Sequence, residues 1–391
     1  MRMTTTTDAE AAAINTFNPK GAAVDTVTPK GAAVDTVDPK AGVTGPDGSK
    51  TDIRRLDAYS HILPAPYFAR MRELAVDSGA LKRWLELDAL HDVDARLRMM
   101  DTFGDGYQQV LTLSSPPIEL LAGPRDSPAL ARLANESMHA LCERYPDRFP
   151  AFVASLPMNN PDAALAEIAF ALDGLGARGV QVFTNVNGRP LDDPAFHGVF
   201  AEMARRDLPI WLHPARGAGF ADYAAEDTSR YEIWWALGWP YETSVAMARL
   251  VFSGLLERHP DIKIITHHLG AMIPYLEGRI RLGWSEQLGS RTAGDDLARL
   301  RSTTPPRPPL DYFRRFYADT ALSASAIGIR CGLDFFGTEH VLFGTDCPFD
   351  PEGGPGFIRE TIRVLDALDL TAGAREQIYH GNLLRLMRLP G

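Results

Sequence analysis

Tyr59 and His61, His213, the pair His267 and His268, and Asp346 each stand at or just beyond the end of a short apolar run rich in β-branched residues. The runs cover residues 53–58, 209–212, 263–266 and 341–343. Imidazole and carboxylate groups gathered from separate strand ends hold a hard or borderline divalent cation and leave coordination positions open. A lone histidine in such a place is more often a hydrogen-bonded core residue. Four strand ends of this kind point to a metal site. The remaining histidines carry less weight: His91, His139, His197 and His259 lie in or beside helical patterns, His340 precedes the last run, and His380 sits near the C-terminal helix. Cys347 follows Asp346 directly, but no base is arranged beside it that would make it a nucleophile.

The elements that must position these groups alternate. Further apolar runs lie at 110–113, 152–155, 179–183 and 316–318, and amphipathic helical patterns such as 162–172 and 193–205 fall between them. Helices between buried strands imply βα units and a parallel sheet. About eight such units fit a closed (β/α)8 barrel, whose reactive groups collect at the C-terminal ends of the strands. No GxGxxG follows an early strand, which argues against a dinucleotide fold. Residues 216–249 read as a lid-like insertion. Residues 1–50 differ in texture: PKGAAVDTV starts at Pro19, repeats from Pro29, and begins again at Pro39. Such a segment buries too little to offset its ordering entropy, so it is expected to be a disordered or partner-bound arm, with the barrel domain spanning 51–391.

Of the 391 residues, 45% are hydrophobic and 23% charged, enough for a sizeable core. A net charge of −10 and a pI near 5.5 argue against nucleic-acid or anionic-membrane partners. Three cysteines without a CxxC pair exclude a disulfide scaffold and a thiolate zinc finger. No run reaches the ~18 apolar residues of a membrane span, and no signal-peptide pattern opens the chain, so the cytoplasm is the expected compartment.

At this point the residues resemble a known group. LDAYSHILP (56–64), WLHP (211–214), the long segment 238–280 containing PDIKIITHHLG, YADTAL (317–322), VLFGTDCPF (341–349) and YHGNLLRL (379–386) are similar to the amidohydrolase superfamily, in the branch of aminocarboxymuconate-semialdehyde decarboxylase and related aromatic-acid decarboxylases. The resemblance implies one divalent metal, usually zinc, with iron or manganese as alternatives. Its ligands would fall on Tyr59, His61, His213 and Asp346. His268, six residues before Pro274, would be the acid/base, with Asp346 also catalytic and His267 beside it against the substrate.

Two departures from the family pattern matter. Tyr59 replaces the first histidine of an HxH pair; it is either a metal ligand, as a phenolate that suits iron better than zinc, or a hydrogen-bonding neighbour of the ligands. None of the six lysines lies near the fourth run, which excludes a two-metal site bridged by a carbamylated lysine. The substrate is expected to be a small aromatic or unsaturated carboxylic acid, with Arg216 and Arg83 as candidate carboxylate clamps. Trp234, Trp235 and Trp239 with Tyr231 would form pocket walls. A metal-dependent hydrolase or hydratase, an iron-dependent oxygenase and a catalytically impaired partner subunit remain alternatives to the decarboxylase. A homodimer, or a complex with a related barrel subunit, is the expected assembly.

Overall fold

The computed structural model describes residues 53–74, 86–287 and 306–391, together with the backbone of two short paired strands, Val43–Thr44 and Lys50–Thr51. All belong to one compact unit, Asp38–Gly391. The repeats between residues 19 and 40, and Arg83, lie outside the described residues.

Eight barrel strands follow in chain order: β1 (Arg55–Ile62), β2 (Tyr107–Leu113), β3 in two pieces (Ala151–Phe152 and Ala154–Ser155), β4 (Val180–Phe183), β5 (Ile210–His213), β6 (Ile264–Thr266), β7 (Tyr317–Asp319) and β8 (Val341–Leu342). Each pairs in parallel with the next. The ring closes where Ala58 N–H donates to Phe343 O (2.8 Å) and His61 N–H to Cys347 O (2.9 Å). This is the (β/α)8 barrel that the alternating runs imply. A closed parallel sheet is covered on both faces, which is why its strands read as unbroken apolar runs.

Leu56, Ala58, Val110, Val153, Trp211, Ile265 and Leu342 fill the inside, and Leu383, Leu384, Leu386 and Met387 of the C-terminal helix Asn382–Met387 pack against that inner cluster. Trp211 Nε1–H crosses the interior to Ala58 O (2.9 Å). Gly179 makes room for this ring, since a Cβ there would lie 2.4 Å from Trp211 Cζ3 and 2.6 Å from Pro209 O.

Two sequence expectations shift. Residues 216–249 are not one insertion: irregular backbone runs to Glu232, a short helix covers Ile233–Ala236, and Gly238–Phe252 is an ordinary barrel helix that buries Ala246, Met247, Leu250 and Val251. Gly238, Pro240 and three tryptophans look like loop punctuation, yet proline is tolerated in a first helical turn. The seventh strand also ends later than the run 316–318, at Asp319. No helix of the described residues is long and apolar enough to cross a membrane.

Candidate metal centre

β1 carries a one-residue bulge between Asp57 and Ser60 in its pairing with β2, spanning Ala58 and Tyr59. Bulges re-aim side chains next to active sites. Beyond it, Tyr59 and His61 converge with His213, the last residue of β5, and with His267, the first residue after β6. The ring of His61 lies 5.1 Å from that of His213 and 5.7 Å from that of His267, and His213 and His267 are 5.1 Å apart. One nitrogen of each comes within 4.8 Å of the other two, as a single cation requires.

The other nitrogens are held from behind. His213 Nδ1 is 2.7 Å from Pro214 O, and His267 Nδ1 is 2.5 Å from Asp319 Oδ2. A carbonyl and a carboxylate only accept, so both Nδ1 atoms carry hydrogen, which leaves Nε2 as the ligating nitrogen of each ring in its neutral form. His61 Nδ1 meets Thr112 Oγ1 at 3.3 Å. Partners of this kind fix the orientation of metal-binding imidazoles and raise their basicity.

Asp346 closes the group. Its Oδ1 is 3.3 Å from His61 Nε2 and 3.4 Å from His267 Nε2, and its Oδ2 is 3.6 Å from His268 Nε2. Burial works against its charge, but these imidazoles hold its carboxyl well below the usual range. Burial lowers the pKa of His61 and His268, and that of His213 more strongly, with their mutual repulsion adding to the effect. Neutral imidazoles beside an ionised carboxylate are the protonation state that metal binding demands. His267 differs: burial opposes its charge, but Asp319 and Asp346 overcome it and lift its pKa to about 9. Asp346 (φ 64°) and His268 (φ 55°) both adopt left-handed backbone, a strain that clusters at functional sites. Gly344 lets the chain after β8 approach; a Cβ there would lie 2.8 Å from Asp319 Cβ.

Tyr59 Oη and His61 Nε2 are buried without a hydrogen-bond partner, as is His268 Nδ1. An unpaired buried polar atom costs ~1–3 kcal/mol, so such orphans ask for a ligand. Tyr59 stacks on His267 with ring centroids 3.9 Å apart. The donor set thus fits a divalent metal: nitrogen and oxygen only, buried together, with two of its polar atoms left without a hydrogen-bond partner.

A cavity of about 610 Å³ opens above. His213, His268 and Asp346 form its floor, and Trp234, Trp235, Trp239 and Phe349 its walls. His268 and Asp346 retain 14% and 19% side-chain exposure, whereas His61 and His267 are sealed beneath. Two expected substrate contacts are therefore placed elsewhere. His267 is fully buried and does not line the cavity. Arg216 faces a neighbouring cavity and is paired with Glu242 at 3.0 Å, so its guanidinium is already committed. Tyr231 is exposed at the surface. Cys347 is buried against Gln109 and Met99, and burial pushes its thiol up to about 12, which leaves it inert.

Three buried residues escaped the sequence reading. Asp319 was legible in principle, because it ends β7 as His213 ends β5. Asp57 accepts from Thr345 Oγ1 (2.5 Å), Tyr107 Oη (2.8 Å), and the backbone N–H groups of Thr345 and Tyr59. It ties β1 to the segment that carries Asp346, and burial raises its pKa to about 6. Arg96 donates to His61 O (2.7 and 2.8 Å), Ala89 O (2.9 Å) and Gln109 Oε1 (2.9 Å).

The chain is similar to known proteins over most of its length. The amidohydrolase family model matches residues 60–389. The 2-amino-3-carboxymuconate-6-semialdehyde decarboxylase of Dictyostelium discoideum is 28% identical over 300 residues, 76% of this chain and 77% of that protein. The gamma-resorcylate decarboxylase of Rhizobium sp. (strain MTP-10005) is 30% identical over 329 residues, covering 79% of this chain and 91% of the relative. The crystal structure of 2,6-dihydroxybenzoate decarboxylase from Rhizobium superposes with a TM-score of 0.68 at 25% identity, covering 87% of this chain and all of that one. With the family model matched over most of its length and these relatives beside it, the chain belongs to the amidohydrolase family, in the branch that contains these decarboxylases.

Proposed function

We infer that this chain is a metal-dependent decarboxylase that releases CO2, without oxidation, from a small aromatic carboxylic acid. The observation that carries this reading is the cavity floor: His268, partly exposed to the cavity, stands beside Asp346 at the open edge of a sealed cluster of ligand-type side chains. His61, His213 and Asp346 would hold the metal. When bound, it supplies Lewis-acid charge stabilisation and fixes the substrate's carboxylate or adjacent hydroxyl.

The chain's own residues do the rest. Trp234, Trp239 and Phe349 present flat apolar faces that admit an aromatic ring and exclude water from it. As the carbon–carboxylate bond breaks, CO2 leaves and the bonding electron pair stays on the ring carbon. That carbon then takes a proton from His268. Asp346 Oδ2, 3.6 Å from His268 Nε2, favours the protonated ring that this transfer needs and works against the burial that lowers the pKa of His268.

The test is the full chain loaded with a divalent metal and given a panel of ortho-hydroxybenzoates that includes 2,6-dihydroxybenzoate. CO2 released in step with the matching phenol, and no oxygen uptake, is the expected result. Oxygen consumed in proportion to turnover would replace this reading with an oxygenase. Aryl-ester cleavage without CO2 would replace it with a hydrolase.

A further inference from the structure

We propose that Tyr59 and His267 are themselves metal ligands, so that three imidazoles, one carboxylate and one phenol oxygen form a five-donor site built for a six-coordinate metal such as iron rather than for tetrahedral zinc. The proposal deepens the metal-dependent reading above and rests on it. His267 enters because its available nitrogen lies within 4.8 Å of those of His61 and His213, and 3.4 Å from Asp346 Oδ1, the oxygen that also faces His61. Its ring cannot turn away, since Nδ1 is held by the buried carboxylate of Asp319. A histidine backed by a carboxylate in this way is the common arrangement of a metal-bound imidazole.

Tyr59 enters through its orphaned oxygen. The side chain is fully buried, and its hydroxyl finds no hydrogen-bond partner. Its ring is stacked on His267, 5.3 Å from His61 and 6.0 Å from His213, so the residue belongs to the cluster and not to its surroundings. A tyrosine present only to fill space would leave this cost unrecovered, and a phenylalanine would serve as well.

The count of donors then selects the metal. Zinc sites with catalytic roles use three protein ligands and keep one position open. Five nitrogen and oxygen donors without a thiolate exceed that number, and they leave a six-coordinate ion one position for the substrate. Such a set suits iron or manganese, and a phenol oxygen suits iron best.

The experiment loads the metal-free full chain with one equivalent of ferrous iron, oxidises it by one electron with ferricyanide, and records the visible spectrum and bound iron. A phenolate-to-iron charge-transfer absorption is expected in the unaltered chain. Tyr59→Phe should lose it and should retain iron at least about tenfold less tightly. A parallel cobalt(II) load should give the weak absorption of a five- or six-coordinate ion. Bound iron without the visible band, a band that survives Tyr59→Phe, or the intense cobalt spectrum of a tetrahedral site would each overturn the proposal and leave the metal-dependent reading intact. A chain that binds none of these ions would overturn both.

Discussion

Asp346 faces three imidazoles, and the differences among them divide the labour of the site. His61 and His267 are sealed and aimed inward, whereas His268 reaches the cavity. Removing the proton donor should therefore spare the metal. His268→Asn is expected to lower kcat by ~10²–10⁴-fold while metal content, measured by elemental analysis, stays unchanged. Metal loss in that variant would place His268 among the ligands. His267 offers a separate test in the metal-free chain. Its pKa stands near 9 in the fold against an ordinary value of 6.5, so the charged ring stabilises the fold fully below about pH 6.5. That contribution disappears as the pH climbs through 9. The melting-temperature gap between the metal-free parent and metal-free His267→Asn should narrow over this range. A gap that widens would contradict the ion pair with Asp319.

At the scale of elements, precision comes from what stands behind the strands. Arg96 lies on the helix Val93–Asp101, outside the barrel, yet its guanidinium clamps the carbonyl of His61 and the loop carbonyl of Ala89. No carboxylate partners it among the described residues; carbonyls and Gln109 engage all three of its nitrogens. Replacing it by methionine fills the space but strands three buried acceptors. Arg96→Met should destabilise the chain by ~3 kcal/mol or more in urea unfolding and weaken metal retention. Full stability would show that the clamp is dispensable. In the same way Asp57 fastens β1 to Thr345, so the two segments that supply Tyr59, His61 and Asp346 move together.

For the whole molecule the charge of the cavity matters more than its size. Among the described residues that line it there is no lysine or arginine, while Glu86 and Asp350 stand at its side. Apart from His268 when protonated, a bound metal would be the positive group that these lining residues offer a substrate, and it serves one carboxylate. A second carboxylate would meet like charge in a partly desolvated space. Monocarboxylic hydroxybenzoates should therefore exceed their dicarboxylic counterparts in kcat/KM by at least ~10-fold, as steady-state assays on matched pairs will read. Equal rates would mean that a cation outside the described residues reaches the cavity.

The barrel itself was legible in the chain because its signal is periodic and local. Buried parallel strands must be apolar runs, the helices between them must be amphipathic, and reactive groups must follow the strands at one end. His61, His213, His268 and Asp346 were readable for that reason. Arg96, Asp57 and the pairing of Arg216 with Glu242 were not, since each depends on a partner far away in sequence that no local spacing announces. The long helix from Gly238 was hidden by residues that usually break helices. Sequence alone determined that imidazoles and a carboxylate would meet at one mouth of the barrel. Only the tertiary structure decided which of them face a cavity and which are sealed, because burial and hydrogen-bond partnership are properties of the packed chain and not of its spacing.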